Sequence, residues 1–228
     1  MTTLANFRLA ALPLSFLWII IFVFIAHPVS SAQVYTTIPK DIDRSAKYLF
    51  FLHNYYVEIK GVDGDCKYND LLQAFAKEDQ IVISEVRTGK IVPCTYASKV
   101  SAQVEELVSA GVPPQNITVS GHSKGGAIAL CVSSQLKNNK INYVIMAGCE
   151  IAGIKKYKMY PDFTNLQGRI LSVYANSDTV AGSCSNAFSM ATDGLSDTEL
   201  VLNSEKGHKL FFTPDSTWLI PVLRWVNE

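Results

Sequence analysis

The chain has 228 residues, with 20 basic and 20 acidic side chains and a formal net charge of zero. This length fits one α/β domain, and the densest basic run (Lys155, Lys156 and Lys158) is too small for the clustered basic face of a nucleic-acid-binding protein. The composition therefore argues against a nucleic-acid partner and favours a single domain.

The first 32 residues have the features of a secretory signal. One Arg and no acidic residue accompany an apolar run from Leu9 to Ala26, and Pro28 then precedes small residues. Ser30 and Ala32 fit the small-x-small rule for cleavage after Ala32, whereas the length of the apolar run leaves an uncleaved membrane anchor as the alternative. We expect an exported protein, periplasmic or secreted, whose mature domain covers residues 33–228. Membrane contact is expected only if the first segment is retained.

Strand-like and helix-like segments alternate along this mature chain, which predicts a mostly parallel sheet with helices on both faces. One strand-like run of five residues spans residues 199–203, near the end of the chain. Five continuous apolar runs have the length and composition of strands buried on both faces, and they span residues 47–53, 80–87, 116–121, 141–148 and 168–175.

Three helices are predicted between and after these strands. Apolar residues at helical spacing predict a helix over 96–111, which ends at Gly111 before two prolines. A second helix is expected over 124–138. The last is expected over 215–227 behind an Asp or Ser cap, and Pro221 must kink it or mark its start.

Between the third strand and the second helix stands Gly121-His122-Ser123-Lys124-Gly125, a Gly-x-Ser-x-Gly sequence. A strand that turns into a helix so sharply strains its central residue, and flanking glycines give the neighbouring backbone room. The serine hydroxyl is then exposed beside a helix N-terminus, whose unpaired N–H groups favour an oxyanion. An ordinary Gly-rich turn is the alternative. A phosphate-binding loop would need Lys after the second Gly, and the chain has no Gly-x-Gly-x-x-Gly dinucleotide fingerprint.

At these residues the sequence resembles the α/β-hydrolase superfamily, and the similarity covers nearly all of the chain after the signal segment. The stretches FFLHNYYVE, VISEVR, GVPPQNITVSGHSKGGAIAL and SDTVAGSC are similar to those of small bacterial exported hydrolases. The resemblance implies a hydrolase activity and leaves the substrate open.

A serine nucleophile needs a base to accept its proton and an acid to orient that base. Only His208 follows Ser123 in the chain, and a loop before the last helix could carry it over the serine. An incidental surface histidine is the alternative. Asp178 stands just beyond a buried strand, at the sheet edge where functional groups collect, and Glu150 at the end of the preceding strand is the alternative acid. The order Ser123, Asp178, His208 matches that of the superfamily.

The backbone N–H of Lys124 and a second N–H from the turn after the first strand are expected to hold the oxyanion. The superfamily often has His-Gly where this chain has His53-Asn54. The second donor is therefore expected from Asn54, whose residue type tolerates left-handed backbone, or from Tyr55. The short connection between the fourth and fifth strands predicts that a large cap domain is absent.

Five cysteines lie in the mature chain, and export would allow disulfides. In the hydrolase pattern, Cys149 and Cys184 emerge at the same edge of neighbouring parallel strands, so we predict a bridge between them. A second bridge between Cys66 and Cys94 would leave Cys131 as a buried free thiol. The alternative is five reduced cysteines. No Cys-x-x-Cys pair or neighbouring His indicates a metal site.

These features predict a single-domain α/β hydrolase that transfers the acyl group of a small-molecule carboxylic ester to water, without cofactor or metal. Thioesters, amides and alcohol acceptors would use the same residues. Arg87 is a candidate contact for an anionic substrate, with an ion pair to Glu85 or Asp79 as the alternative. A catalytically silent hydrolase fold and an envelope-anchored interaction protein are the other function classes that stay open.

Overall fold

The computed structural model describes residues 33–151 and 160–228. The predicted signal segment, 1–32, and the basic run at 155–158 lie outside the described residues. In the described chain, the strands are β1 (Gln33–Tyr35), β2 (Lys47–Leu52), β3 (Gln80–Ile83), β4 (Ile117–His122), β5 (Asn142–Met146), β6 (Gly168–Ala175) and β7 (Leu195–Leu202). The α-helices are α1 (Tyr55–Lys60), α2 (Tyr68–Ala76), α3 (Pro93–Ser109), α4 (Lys124–Leu136), α5 (Ser185–Phe188) and α6 (Ser216–Asn227).

The strands of the described chain form one seven-stranded sheet in the order β1-β3-β2-β4-β5-β6-β7. Every neighbouring pair is parallel. Parallel strands end at a common edge, so the segments that follow β2, β4 and β6 are brought together at the carboxyl edge of the sheet. This edge carries the candidate site.

Each face of the sheet is covered by its own helical layer, which explains why the strand sequences are apolar without alternation. In β2, Tyr48 and Phe50 belong to the core beneath α3 and α4. Leu49 and Phe51 belong to the core on the other face, which includes side chains of α2 and α6. The predicted α/β-hydrolase-like architecture, a mostly parallel sheet with helices on both faces, is confirmed.

The predicted strands and helices all occur, with shifted ends. The strand expected over 80–87 ends at Ile83; the next residue, Ser84, donates its backbone N–H to the Tyr35 carbonyl at 2.8 Å and its hydroxyl to the Phe51 carbonyl at 2.5 Å. In α6, Asp215 is the cap and accepts the N–H of Thr217, as expected, while Pro221 lies inside the helix.

The connection between β5 and β6 runs from residue 147 to 167, and its described part carries no large cap domain. Among residues 33–151 and 160–228, no helix has the length and apolar character that crossing a membrane requires.

The disulfides agree with the sequence prediction in one case and contradict it in the other. Cys149 and Cys184 are bridged, with their Cα atoms 5.2 Å apart. The predicted bridge between Cys66 and Cys94 is wrong, because Cys94 pairs with Cys131 and Cys66 is a buried free thiol. The reason is the face of the sheet: Cys94 and Cys131 share the core beneath α3 and α4, whereas Cys66 belongs to the opposite core.

Candidate active site

Ser123 forms the sharp turn between β4 and α4. Its backbone has φ 55° and ψ −118°, in the positive-φ region that a Cβ atom disfavours. A Cβ atom on Gly121 would lie 2.2 Å from the Gly125 carbonyl oxygen, and one on Gly125 would lie 1.8 Å from the Leu52 carbonyl oxygen. Glycine at both positions therefore lets the turn close against the end of β2. The exposed serine expected from the sequence is wrong, because this close packing buries Ser123, with 7% of the residue exposed.

Asp178 and His208 lie in direct contact beside this turn. His208 Nδ1 is 2.9 Å from Asp178 Oδ2, while Asp178 Oδ1 accepts the N–H groups of Val180 at 2.8 Å and Ala181 at 3.0 Å. Burial raises the pKa of Asp178, but the hydrogen bonds from His208 and the loop outweigh this effect and bring the pKa below its usual value. A charged carboxylate thus holds a proton on Nδ1 of the imidazole and leaves Nε2 as the basic nitrogen.

His208 is carried by a 3-10 helix, Gly207–Phe212, whose Phe211 and Phe212 rings pack near the ring of His122. Its ring centroid is 4.8 Å from that of His122, the residue before Ser123. No hydrogen bond between the Ser123 and His208 side chains is found in the described part of the chain, and in free enzymes such bonds often tighten only when substrate binds. The alternative acid, Glu150, instead accepts a hydrogen bond from Asn186 at 2.9 Å.

Three backbone N–H groups lie at this site. In the described part of the chain, none of them donates to a backbone carbonyl in a turn, loop or helix cap. They belong to Lys124, at the start of α4, and to Asn54 and Tyr55, in the turn after β2. Asn54 does not use the left-handed backbone that its residue type tolerates, since its φ is −75° and ψ is 174°. Asn54 Oδ1 instead caps α1 by accepting the N–H of Val57 at 3.0 Å, which fixes the turn without a positive φ.

The side chain of Lys124 ties the start of α4 to α1. It forms an ion pair with Glu58 at 2.8 Å, and both side chains are buried. Its ammonium also lies 5.2 Å from the centroid of the Tyr55 ring. The two elements that carry the unpartnered N–H groups are therefore linked by a buried ion pair.

Arg87 is also buried, and it contacts His53 instead of solvent. Its Nη2 donates to the His53 carbonyl oxygen. The predicted ion pairs with Glu85 and Asp79 are absent from the described residues, and Glu85 pairs with Lys99. Burial lowers the pKa of Arg87 to about 10, and burial together with the Arg87 charge lowers the pKa of His53 to about 3.

Sequence reasoning assigned no role to His122, although it lies at the centre of the site. It accepts a hydrogen bond from Asn54 Nδ2, 3.0 Å from its Nδ1, and is 1% exposed. Burial, followed by the nearby His208, lowers the pKa of His122 well below its usual value. His122 is thus a neutral link between the turn after β2 and the base.

Comparison with known proteins identifies the family of the chain. The family model of lipase (class 3) matches residues 45–186, more than half of the chain. This range contains Ser123 and Asp178. No curated protein matches the chain significantly.

Solved structures with the same fold include hydrolases. A protein assigned as a dienelactone hydrolase from Klebsiella pneumoniae has 16% identity and a TM-score of 0.56, with 83% of this chain and 90% of that chain covered. An esterase from Pyrococcus furiosus has 15% identity and a TM-score of 0.57, with 80% and 83% covered. At these identities the likeness extends to the fold alone.

Proposed function

Because the chain belongs to the class 3 lipase family of α/β hydrolases, we propose that it is a serine esterase that cleaves small-molecule carboxylic esters through an acyl-enzyme. Ser123 is the nucleophile, His208 the general base and Asp178 the acid that orients His208. The Lys124 N–H and the Asn54 or Tyr55 N–H hold the oxyanion. No cofactor or metal takes part in these steps.

The reaction begins when Nε2 of His208 takes the proton of Ser123 and Oγ attacks the ester carbonyl. The Asp178 carboxylate stabilises the imidazolium that forms. Lys124 and a second N–H donor stabilise the charge that develops on the carbonyl oxygen, and this contribution is large because the donors are fixed beforehand. The imidazolium then protonates the leaving alcohol, and water repeats the attack to release the acid.

One observation carries the proposal: the Asp178–His208 hydrogen bond stands beside the strained serine turn, where the His208 ring lies 4.8 Å from that of His122. A turn with a purely structural role does not need the hydrogen bond between the Asp178 carboxylate and the His208 imidazole. The same groups would act on thioesters, and the absence of a large cap domain from the described chain favours an open site.

Hydrolysis of p-nitrophenyl esters with acyl chains of two to eight carbons tests this function. Ser123→Ala should lower turnover by about 10⁶-fold, as loss of the nucleophile does in a well-studied serine protease. The matched control is Ser109→Ala, on the exposed end of α3, which should keep wild-type turnover. An inactive wild-type protein would contradict the proposal and favour a silent hydrolase fold. A Ser123→Ala protein that keeps more than about a tenth of the wild-type turnover would also contradict it.

We also propose that residues 1–32 direct export and are then removed. Two disulfides are typical of proteins in oxidising compartments, which supports export. N-terminal sequencing of the protein from its native compartment should begin at residue 33. A start at Met1 in a membrane fraction would favour an anchor, and membrane contact with it.

A further inference from the structure

The two peptide groups after β2 have their carbonyl oxygens held by side chains. The His53 carbonyl accepts Nη2 of Arg87. The Asn54 carbonyl lies 2.8 Å from Nδ1 of His53. In a trans peptide the carbonyl and the following N–H point in opposite directions. Holding the His53 carbonyl therefore aims the Asn54 N–H, and holding the Asn54 carbonyl aims the Tyr55 N–H.

Arg87 also fixes the tautomer of His53. The backbone N–H of Arg87 donates to Nε2 of His53 at 2.7 Å, so Nε2 must carry the lone pair. The proton is then on Nδ1, where it donates to the Asn54 carbonyl. His53 is 1% exposed and neutral, since its pKa is about 3. One residue, Arg87, thus controls both carbonyls: one through its guanidinium and one through the imidazole that its backbone orients.

The buried guanidinium of Arg87 destabilises the fold. This cost indicates a role other than stability. Arg87 is 2% exposed, and its Nε and Nη1 atoms have no hydrogen-bond partner in the described chain. The Tyr96 ring centroid lies 5.4 Å from Arg87 Cζ. A buried cation with unpaired donors destabilises a protein, and an apolar side chain of similar length would fill the same space without this cost.

The turn after β2 also contacts the residue next to the nucleophile. Asn54 Nδ2 lies 3.0 Å from Nδ1 of His122, which precedes Ser123. A Cβ atom on Gly125 would lie 2.8 Å from the His53 carbonyl oxygen, so the start of α4 packs directly on the peptide that Arg87 holds. These contacts fix the position of the turn after β2 relative to the Ser123 turn.

We propose that the Arg87 side chain is a positioning group that aims the Asn54 N–H, the second oxyanion donor of this site, by holding the His53 carbonyl. The contact with the His53 imidazole is made by the Arg87 backbone N–H and so remains in every Arg87 variant. The inference rests on the proposed function. Arg87 does not touch the substrate, and its effect is expressed in the transition state, where the oxyanion forms. Loss of Arg87 should therefore lower kcat and leave KM nearly unchanged.

The test compares Arg87→Met and Arg87→Lys with wild type in p-nitrophenyl butyrate hydrolysis. Arg87→Met should lose about 100- to 1000-fold in kcat, the range found when one oxyanion donor is removed. Arg87→Lys, which keeps a charge and an ammonium donor but loses the planar guanidinium geometry, should lose about tenfold. The control is Arg169→Met, since Arg169 lies 4.0 Å over the Trp225 ring, and it should keep wild-type kcat.

A second measurement separates positioning from general damage. A trifluoromethyl ketone forms a hemiketal oxyanion on the serine, and Arg87→Met should weaken its binding about as much as it lowers kcat/KM. Circular dichroism and thermal unfolding check that each variant is folded. If Arg87→Met does not fold, the kcat of Arg87→Lys and its ketone affinity decide the question.

The outcomes separate the two proposals. Wild-type kcat in Arg87→Met or in a folded Arg87→Lys, while Ser123→Ala is inactive, would overturn the positioning role alone. A rise in KM with unchanged ketone affinity would also overturn it. Wild-type protein without Ser123-dependent turnover would overturn the proposed function, and the positioning role with it.

Discussion

Replacing each disulfide with two alanines should destabilise the protein equally and affect activity unequally. The Cys149–Cys184 bridge spans 35 residues and the Cys94–Cys131 bridge spans 37. In the chain-entropy model, each bridge restricts the unfolded chain by about 13 cal/mol/K, which is about 4 kcal/mol at 25 °C. A domain of this size loses about 2 to 4 °C in Tm for each kcal/mol, so either replacement should lower Tm by about 8 to 16 °C.

The difference in activity follows from where the bridges lie. Cys149 is beside the loop that carries Asp178, since the Gly182 N–H donates to the Cys149 carbonyl at 3.1 Å. Cys94 and Cys131 join α3 to α4 within one helical layer. The Cys149→Ala/Cys184→Ala protein should therefore lose about tenfold in kcat, because small displacements of a catalytic group are costly.

Both proteins should be assayed at a temperature well below both unfolding transitions. Calorimetry gives the Tm values, and ester hydrolysis gives kcat. The Cys94→Ala/Cys131→Ala protein should keep kcat within about twofold of wild type. Equal kcat values for the two replacements would refute the role of the Cys149–Cys184 bridge in holding the Asp178 loop. Tm losses that differ severalfold would refute the entropy argument.

Asp178→Asn should lower kcat by about 10⁴-fold with little change in Tm, as in serine proteases with the same constellation, because an amide cannot stabilise an imidazolium. Asp215→Ala removes the α6 cap and should lower the unfolding free energy by about 1 kcal/mol at pH 7. Hydrogen bonds, first of all from Lys206, lower the pKa of Asp215 to about 2, so in urea unfolding this difference should shrink as the pH falls from 4 towards 2. Burial lowers the pKa values of His53 and His122, so the unfolded chain takes up protons below pH 6.5 that the folded chain does not. The unfolding free energy in urea should therefore fall by about 2 kcal/mol from His53 alone between pH 7 and pH 5, and a flat profile would contradict neutral buried imidazoles.

The strands and the Ser123 turn could be predicted because their signals are local. A parallel strand buried on both faces is apolar throughout, and the serine turn needs glycines at fixed positions. Asp178 and His208 followed from chain order and from the rule that strand ends meet at one edge. β1 was missed because it has three residues at the edge of the sheet, too few for a pattern.

The contacts that sequence reasoning missed depend on the face and the direction of side chains. Cys66 and Cys94 both follow strands, and only the structure shows that they lie in opposite cores. The cap at Asn54 had a local signal, an Asn directly before a helix, which the comparison with the His-Gly pattern obscured. The Arg87–His53 contact joins the segments that follow β3 and β2, and nothing local in the sequence shows that the Arg87 side chain is buried there.

The most direct test of the account is labelling of the purified protein with a fluorophosphonate, which reacts with an activated serine hydroxyl. Mass spectrometry of the digested protein should find one adduct, on Ser123, and His208→Ala should abolish it because the base is lost. A folded wild-type protein that takes up no label, or that carries it on another residue, would contradict the assignment of Ser123 as the nucleophile.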